Sequence, residues 1–197
     1  DALQPAISPT SPIVACVGDV VTLDAGAGFA AYSWSNSSTS QTIQPTSTGS
    51  YAVTVSQNGC TGSDTVQVTF NAHPVVTITP AGPITTCANT PVTLDAGAGF
   101  ATYNWSNTDQ TQTTQTSSSG AYQVTVTQNG CDGTASVAVT VNPVPLPTIT
   151  PAGPINACVG DNVILDAGSG YTAYSWSNGD LTQTKQPTSS GNYVVTV

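Results

Sequence analysis

The chain has 197 residues and a formal net charge of −9, with one basic residue, Lys185, against ten acidic residues that are all aspartates. This charge excludes a basic surface for nucleic acid and opposes docking on anionic lipid. No apolar run approaches the 18 or so residues of a membrane span, so no membrane span is predicted in this chain. The only histidine is His73 and no paired carboxylates stand at a catalytic spacing, so we expect no enzyme activity and no cofactor.

Short alternating runs, separated by Gly, Pro, Asn and Ser, predict strands in the first part of the chain. They lie at 20–24, 31–35, 41–44, 49–56 and 65–70, and another short run follows at 75–79. The Asn58-Gly59 pair between the fourth and fifth strands predicts a hairpin turn. Six or seven short strands of this kind are typical of an immunoglobulin-like (Ig-like) β-sandwich.

The whole pattern recurs with a period of 71 residues and no gap. It predicts three Ig-like domains in tandem at 1–71, 72–142 and 143–197, and we expect the third to be truncated before its last strand, as a window cut from a longer array. Prolines near each junction predict short, stiff linkers and an overall rod. Aromatic residues at the same place in each repeat are predicted core positions: Trp34, Trp105, Trp176, Tyr51, Tyr122 and Tyr193.

The cysteines follow the same period. Cys16 and Cys60 are 44 residues apart, as are Cys87 and Cys131. We interpret this spacing as one disulfide inside each repeat, Cys16–Cys60 and Cys87–Cys131, clasping one end of the sandwich. A zinc site is the alternative, but two cysteines per repeat supply too few ligands. Cys158 is predicted to be unpaired in this chain, because its partner would stand beyond the last residue. Disulfides place a protein outside the cytoplasm, so the expected location is extracellular or on the cell surface.

Three aspartates occupy one repeated position, at the end of the first predicted strand, and are followed by glycine-rich loops: Asp24, Asp95 and Asp166. We interpret them as Asx turns that hold these loops. Calcium binding is the alternative, although calcium needs six to eight oxygen ligands. Loop aromatics at Phe29, Phe100 and Tyr171 are expected to pack beneath the loops, and stacking on sugars is the other hypothesis.

Four segments of the second repeat carry a resemblance to a known group of proteins: LDAG at 94–97, YNWS at 103–106, GAYQVTV at 120–126 and NGC at 129–131. They resemble the PKD-like and Ig-like tandem repeats of large Bacteroidota surface proteins. The resemblance implies secretion by the type IX system and a place among adhesins and filament proteins. It also implies glycan attachment at Asp-Thr-apolar motifs, which makes Thr65 a candidate, and Asn36 begins a separate N-glycosylation motif.

These observations predict a structural segment of an extracellular stalk or filament that projects an adhesive element from a bacterial cell. Its partners would be other domains of the same long polypeptide. Two alternatives remain open: a self-assembling filament or sheath subunit with contacts or strand donation between neighbouring copies, and a carbohydrate-binding array that recognises surface polysaccharide.

Overall fold

The computed structural model describes residues 3–197, which form sixteen β-strands and contain no helix. The chain divides into two compact units, Asp1–Val141 and Asn142–Val197. The all-β class predicted from the sequence is therefore confirmed, and so is its arrangement as tandem Ig-like sandwiches.

The first repeat is a sandwich of two layers. One sheet has the order β1-β6-β5-β3 and the other pairs β2 with β4. Strand β1 runs parallel to β6, and a bridge between Ser8 and Asp24 adds the residues before β1 to the opposite layer. The entering segment thus contacts both sheets, which fixes it across the edge of the sandwich. The strands are β1 (Ile13–Cys16), β2 (Leu23–Asp24), β3 (Ala31–Trp34), β4 (Thr42–Ile43), β5 (Gly49–Gln57) and β6 (Cys60–Asn71).

The second repeat has the same architecture. Its sheets have the orders β7-β12-β11-β9 and β8-β10, with a bridge between Thr79 and Asp95. The strands are β7 (Ile84–Cys87), β8 (Val92–Asp95), β9 (Thr102–Trp105), β10 (Thr113–Thr116), β11 (Gly120–Gln128) and β12 (Cys131–Asn142). The second unit holds two small sheets, in which β13 (Leu165–Asp166) pairs with β15 (Thr184–Lys185) and β14 (Ser175–Trp176) pairs with β16 (Val195–Thr196).

Several features of the sheets differ from the sequence prediction. Strand β6 begins at Cys60, five residues before the predicted start, because the hairpin ladder continues to the Gln57–Cys60 pair beside the turn. Strand β1 was not predicted, since it is short and pairs in parallel with a strand far along the chain. The predicted run at 75–79 forms only the isolated bridge at Thr79.

Each repeat has its own hydrophobic core. In the first, Leu23, Val53 and Val55 are 0% exposed and Trp34 is 3% exposed. The Trp34 indole N–H donates to the Ser40 carbonyl at 2.8 Å, which satisfies the one polar atom that this ring buries. Equivalent bonds join Trp105 to Thr111 and Trp176 to Thr182. The three core clusters lie within the three predicted ranges, and the exact boundaries at 71/72 and 142/143 stay predictions.

The repeated tyrosine forms a corner of the sandwich. The Tyr51 hydroxyl donates to the Ser47 carbonyl at 2.9 Å, and Tyr122 and Tyr193 repeat this bond. This is the tyrosine corner of Ig domains, which lies two residues before a core cysteine in antibodies. Here Val53 stands at that place and is fully buried. Apolar packing therefore takes the place of the usual disulfide between the two sheets.

Candidate functional site at the junction of the first two repeats

One disulfide occurs among the described residues, and it joins two different repeats. Cys16 bonds to Cys131 with a Cα–Cα separation of 5.7 Å, across 115 positions of sequence. Cys16 is the last residue of β1 and Cys131 is the first residue of β12. The bridge therefore ties one end of the first sandwich to the facing end of the second, inside the compact unit Asp1–Val141.

The predicted pairing Cys16–Cys60 is wrong, and the sheet register gives the reason. Cys16 lies beside Asn71, at the last residue of β6, whereas Cys60 is the first residue of that twelve-residue strand. At the usual rise per residue the two positions are roughly 35 Å apart. The Cα atoms of a disulfide are usually about 4.4–6.8 Å apart, so one sandwich cannot close this bond.

The predicted pairing Cys87–Cys131 fails in the same way. The second repeat has the same sheet order, with Cys87 ending β7 and Cys131 beginning the neighbouring β12. Among residues 3–197, the cysteines at 60, 87 and 158 are free and exposed.

Polar contacts surround the disulfide. The Asn71 side-chain amide donates to the Asn129 carbonyl at 2.7 Å, so the last residue of β6 contacts the β11–β12 hairpin. The His73 ring lies with Nδ1 2.7 Å from the Asp132 carbonyl. A carbonyl only accepts, so Nδ1 carries the proton in this contact. His73 is exposed, and this contact helps to fix the linker on the second repeat.

A glycine allows the linker to cross the second sandwich. A Cβ atom at Gly133 would overlap the backbone carbonyl oxygen of Pro74, so only glycine permits this approach. The equivalent Gly62 is crossed in the same way by the carbonyl of Leu3. The sequence gives no signal for this role, because the contact joins residues that are 59 positions apart.

Gly133→Ala should open this junction. The added methyl group must displace backbone, and overpacking of this kind typically costs about 1–3 kcal/mol. We expect a lower urea midpoint for the first unit. Gly120→Ala is the matched control, because its Cβ would lie at an ordinary 3.7 Å from the Tyr122 ring. Equal effects of the two substitutions would contradict the steric role of Gly133.

The three repeated aspartates form Asx turns, as the sequence predicts. Asp95 Oδ1 accepts from the Gly97 backbone N–H at 2.8 Å and from the Gln112 side-chain amide at 2.8 Å. Asp24 and Asp166 make the equivalent pairs of bonds. No cluster of three or more metal-binding side chains occurs within residues 3–197, and calcium binding at these aspartates stays a hypothesis.

These bonds predict acid sensitivity. Hydrogen bonds from Gln112 and Gly97 lower the pKa of Asp95, and those from Gln183 and Gly168 lower the pKa of Asp166. A carboxyl whose pKa falls on folding stabilises the fold above its unfolded pKa of about 3.9, and this contribution is lost as the pH falls through the folded pKa. Below about pH 4, the urea concentration at the unfolding midpoint should therefore decrease as the pH is lowered. This decrease should be less steep in Asp95→Asn, because asparagine keeps an acceptor oxygen but does not titrate. An unchanged slope in that variant would exclude Asp95 as a contributor.

The remaining candidate residues are the loop aromatics and the two possible glycan sites. The Phe29 ring packs edge-on against Tyr32, with ring centroids 5.9 Å apart, and is partly buried against the core. Phe100 and Tyr171 make the same contact with Tyr103 and Tyr174.

Thr65 and Asn36 are exposed, as a glycan site requires. Asp64 accepts from the Ile7 backbone N–H at 2.7 Å, so its carboxylate holds the entering segment. No helix able to cross a membrane occurs in the described part of the chain.

The chain matches no protein-family model and no curated protein. It is similar to tandem Ig domains of solved structures. A three-Ig segment of titin, 14% identical, matches with a TM-score of 0.45 over 95% of this chain and 82% of that one. Extracellular domains 3–5 of Drosophila OTK, 15% identical, match with a TM-score of 0.43 over 71% of this chain and 62% of that one. The insect immune protein hemolin, 15% identical, matches with a TM-score of 0.34 over 70% and 47%.

This chain spans 62% of the OTK segment and 46% of the first Dscam1 structure that it matches. The Ig-like assignment itself rests on the strand order and register described above.

Proposed function

We propose that this chain is a structural segment of an extracellular stalk or filament, whose tandem Ig-like repeats project an adhesive element from a bacterial cell. The observation that carries the proposal is the Cys16–Cys131 disulfide. It ties adjacent repeats to one another, whereas an isolated binding module needs only to stabilise its own core. A covalent link at a junction is useful to a protein in which the relative placement of successive domains matters.

The chemistry of the chain supports this role. A stable disulfide requires an oxidising compartment, which favours an extracellular location. A net charge of −9 with a single basic residue suits a surface that stays soluble and avoids nucleic acid and anionic membranes. The resemblance of the repeats to Bacteroidota surface proteins adds the type IX secretion route to the proposal.

Other functions have less support. The loop aromatics that a carbohydrate-binding array would use are partly buried against the core or against a neighbouring tyrosine. A self-assembling filament remains the second candidate, because exposed thiols are present on the surface of the first unit.

Electron microscopy of the native source material, with gold-labelled antibodies raised against this chain, tests the proposal. Labelled thin strands that leave the cell, with beads about 35–45 Å apart from the length of a twelve-residue strand and its loops, would support a stalk or single-chain filament. Label within a thick polymer of laterally packed chains would overturn it in favour of the self-assembling subunit. Label confined to soluble material would overturn both.

A further inference from the structure

Two exposed cysteines of the first unit correspond to the two halves of its disulfide. By the 71-residue period, Cys60 is equivalent to Cys131, and Cys87 is equivalent to Cys16. We propose that each makes the same joint with a further repeat of this kind. Cys60 would bond to a cysteine placed like Cys16, and Cys87 would bond to a cysteine placed like Cys131.

The end of the sandwich that carries Cys60 is already shaped for this joint. Asn58 and Asn129 both have a φ of 51°, and Gly59 and Gly130 have φ values of 79° and 80°. The two hairpins therefore have the same local conformation, with or without a disulfide. Cys131 is 1% exposed in the joint, whereas Cys60 is exposed. The difference in burial comes from the neighbouring repeat and not from the fold around the cysteine.

The segment beside the Cys60 end of the first sandwich also matches the occupied joint, the junction closed by Cys16 and Cys131. The carbonyl of Leu3 crosses Gly62 as the carbonyl of Pro74 crosses Gly133. In the occupied joint, this crossing brings the preceding repeat to the hairpin. A repeat attached ahead of residue 3 would therefore approach Cys60 along the path by which the first repeat approaches Cys131.

The opposite end offers the complementary half. Asn142, the last residue of β12, is exposed and is equivalent to Asn71, whose side chain binds the facing hairpin. Cys16 and Asn71 hold the second repeat against the first. The end of the second repeat that carries Cys87 and Asn142 has the same two groups. Because the two ends differ, the joint is head-to-tail. Such contacts extend as an open chain instead of closing into a dimer.

The joint forms by thiol–disulfide exchange with a small-molecule disulfide as oxidant. A thiolate attacks the oxidant, releases one small thiol and leaves a mixed disulfide. The thiolate of the facing repeat then displaces the second small thiol. Two protons and two electrons leave the cysteine pair, and the oxidant is reduced to two thiols. The facing repeat is either a continuation of the same polypeptide or a second copy of this chain, since both carry the same chemistry.

Disulfide mapping of the native protein tests the proposal and separates these two sources. Cleavage before each aspartate places the five cysteines in five different peptides, 1–18, 24–63, 64–94, 109–131 and 132–160. With free thiols blocked before digestion, a continuation of the polypeptide should join 24–63 to a peptide resembling 1–18 and join 64–94 to a peptide that contains Asn-Gly-Cys. A second copy of this chain should instead join 24–63 to 64–94. Blocked, unpaired Cys60 and Cys87 would overturn the proposal. A fall in mass on reduction identifies a second copy, and an unchanged mass identifies a single polypeptide.

Matched variants of this chain test the head-to-tail specificity. Cys87→Ser/Cys158→Ser leaves only Cys60 free, and Cys60→Ser leaves only Cys87 and Cys158 free. In a glutathione redox buffer, the mixture should give at least tenfold more disulfide-linked dimer than either variant alone. Equal dimer yields from Cys60–Cys60 pairing would overturn the head-to-tail specificity, and glutathione adducts without dimer would overturn a second copy as the facing repeat. The inference does not depend on the proposed function, since the microscopy can fail while the mapping succeeds.

Discussion

Loss of the Cys16–Cys131 disulfide should strongly destabilise the first unit. The bond closes a loop of 115 positions, for which the chain-entropy model gives an upper limit of about 5 kcal/mol. We expect Cys16→Ser/Cys131→Ser to lower the free energy of unfolding of the unit Asp1–Val141 by about 3–5 kcal/mol. Urea unfolding followed by tryptophan fluorescence measures the difference, and reduction of the parent chain should reproduce it.

The free thiols provide the control. Cys60→Ser removes an exposed cysteine that has no partner among the described residues, and it should leave the urea midpoint of the monomer unchanged. The connectivity itself is read from an unreduced digest, in which peptide 1–18 should be joined to peptide 109–131. If peptide 1–18 were joined to 24–63 instead, or if reduction left the midpoint unchanged, the junction described above would be wrong.

Trp105→Ala should unfold the second repeat. The Trp105 side chain is 2% exposed, and its indole N–H donates to the Thr111 carbonyl at 2.9 Å. Replacing a buried tryptophan with alanine typically costs about 3–5 kcal/mol. A 71-residue domain has only about 4–11 kcal/mol of stability in total. Amide signals of residues 84–142 should therefore collapse into the unfolded range of an NMR spectrum, while those of the first repeat remain dispersed.

Trp105→Phe separates packing from hydrogen bonding at this site. Phenylalanine keeps an aromatic ring, so the expected loss of stability is smaller than in Trp105→Ala. The loss that remains comes from the Thr111 carbonyl, which no longer has its donor, and from the smaller volume of the ring. A lone hydrogen bond of this kind is worth about 1 kcal/mol. If Trp105→Ala left the second repeat folded, the ring would not be the centre of its core. An equal effect of the two substitutions would assign most of the loss to the hydrogen bond or the indole shape.

The fold was predictable because local pattern and period agree with it. Alternation fixed the inward faces of β5 and β6, where Val53, Val55, Val66 and Val68 are all buried. Repetition predicts that each repeat builds the same core, and the three repeated tryptophans are all buried. The repeated tyrosines are only partly buried and pack against the core. Strand β1 was missed because its stability comes from pairing with residues of β6 that lie 55 positions further along the chain.

The disulfide was mispredicted for a different reason. A 71-residue period is satisfied equally well when a cysteine pairs within its repeat or with the next one, because both choices recur along the chain. The choice depends on which end of the sandwich each cysteine occupies. That requires the register between β1 and β6, which places Cys16 beside Asn71 and far from Cys60. Sequence spacing contains no such register.

The Cys16–Cys131 bond also determines which residues would bear tension if the chain were pulled from its two ends. The shortest covalent path uses residues 1–16, the disulfide and residues 131–197, which is 83 residues out of 197. At about 3.5 Å per extended residue, the greatest extension falls from roughly 690 Å to roughly 290 Å. Once the repeats have unfolded, residues 17–130 lie inside the covalent loop and are shielded from the load. The redox state of one cysteine pair thereby sets how far this chain can be stretched.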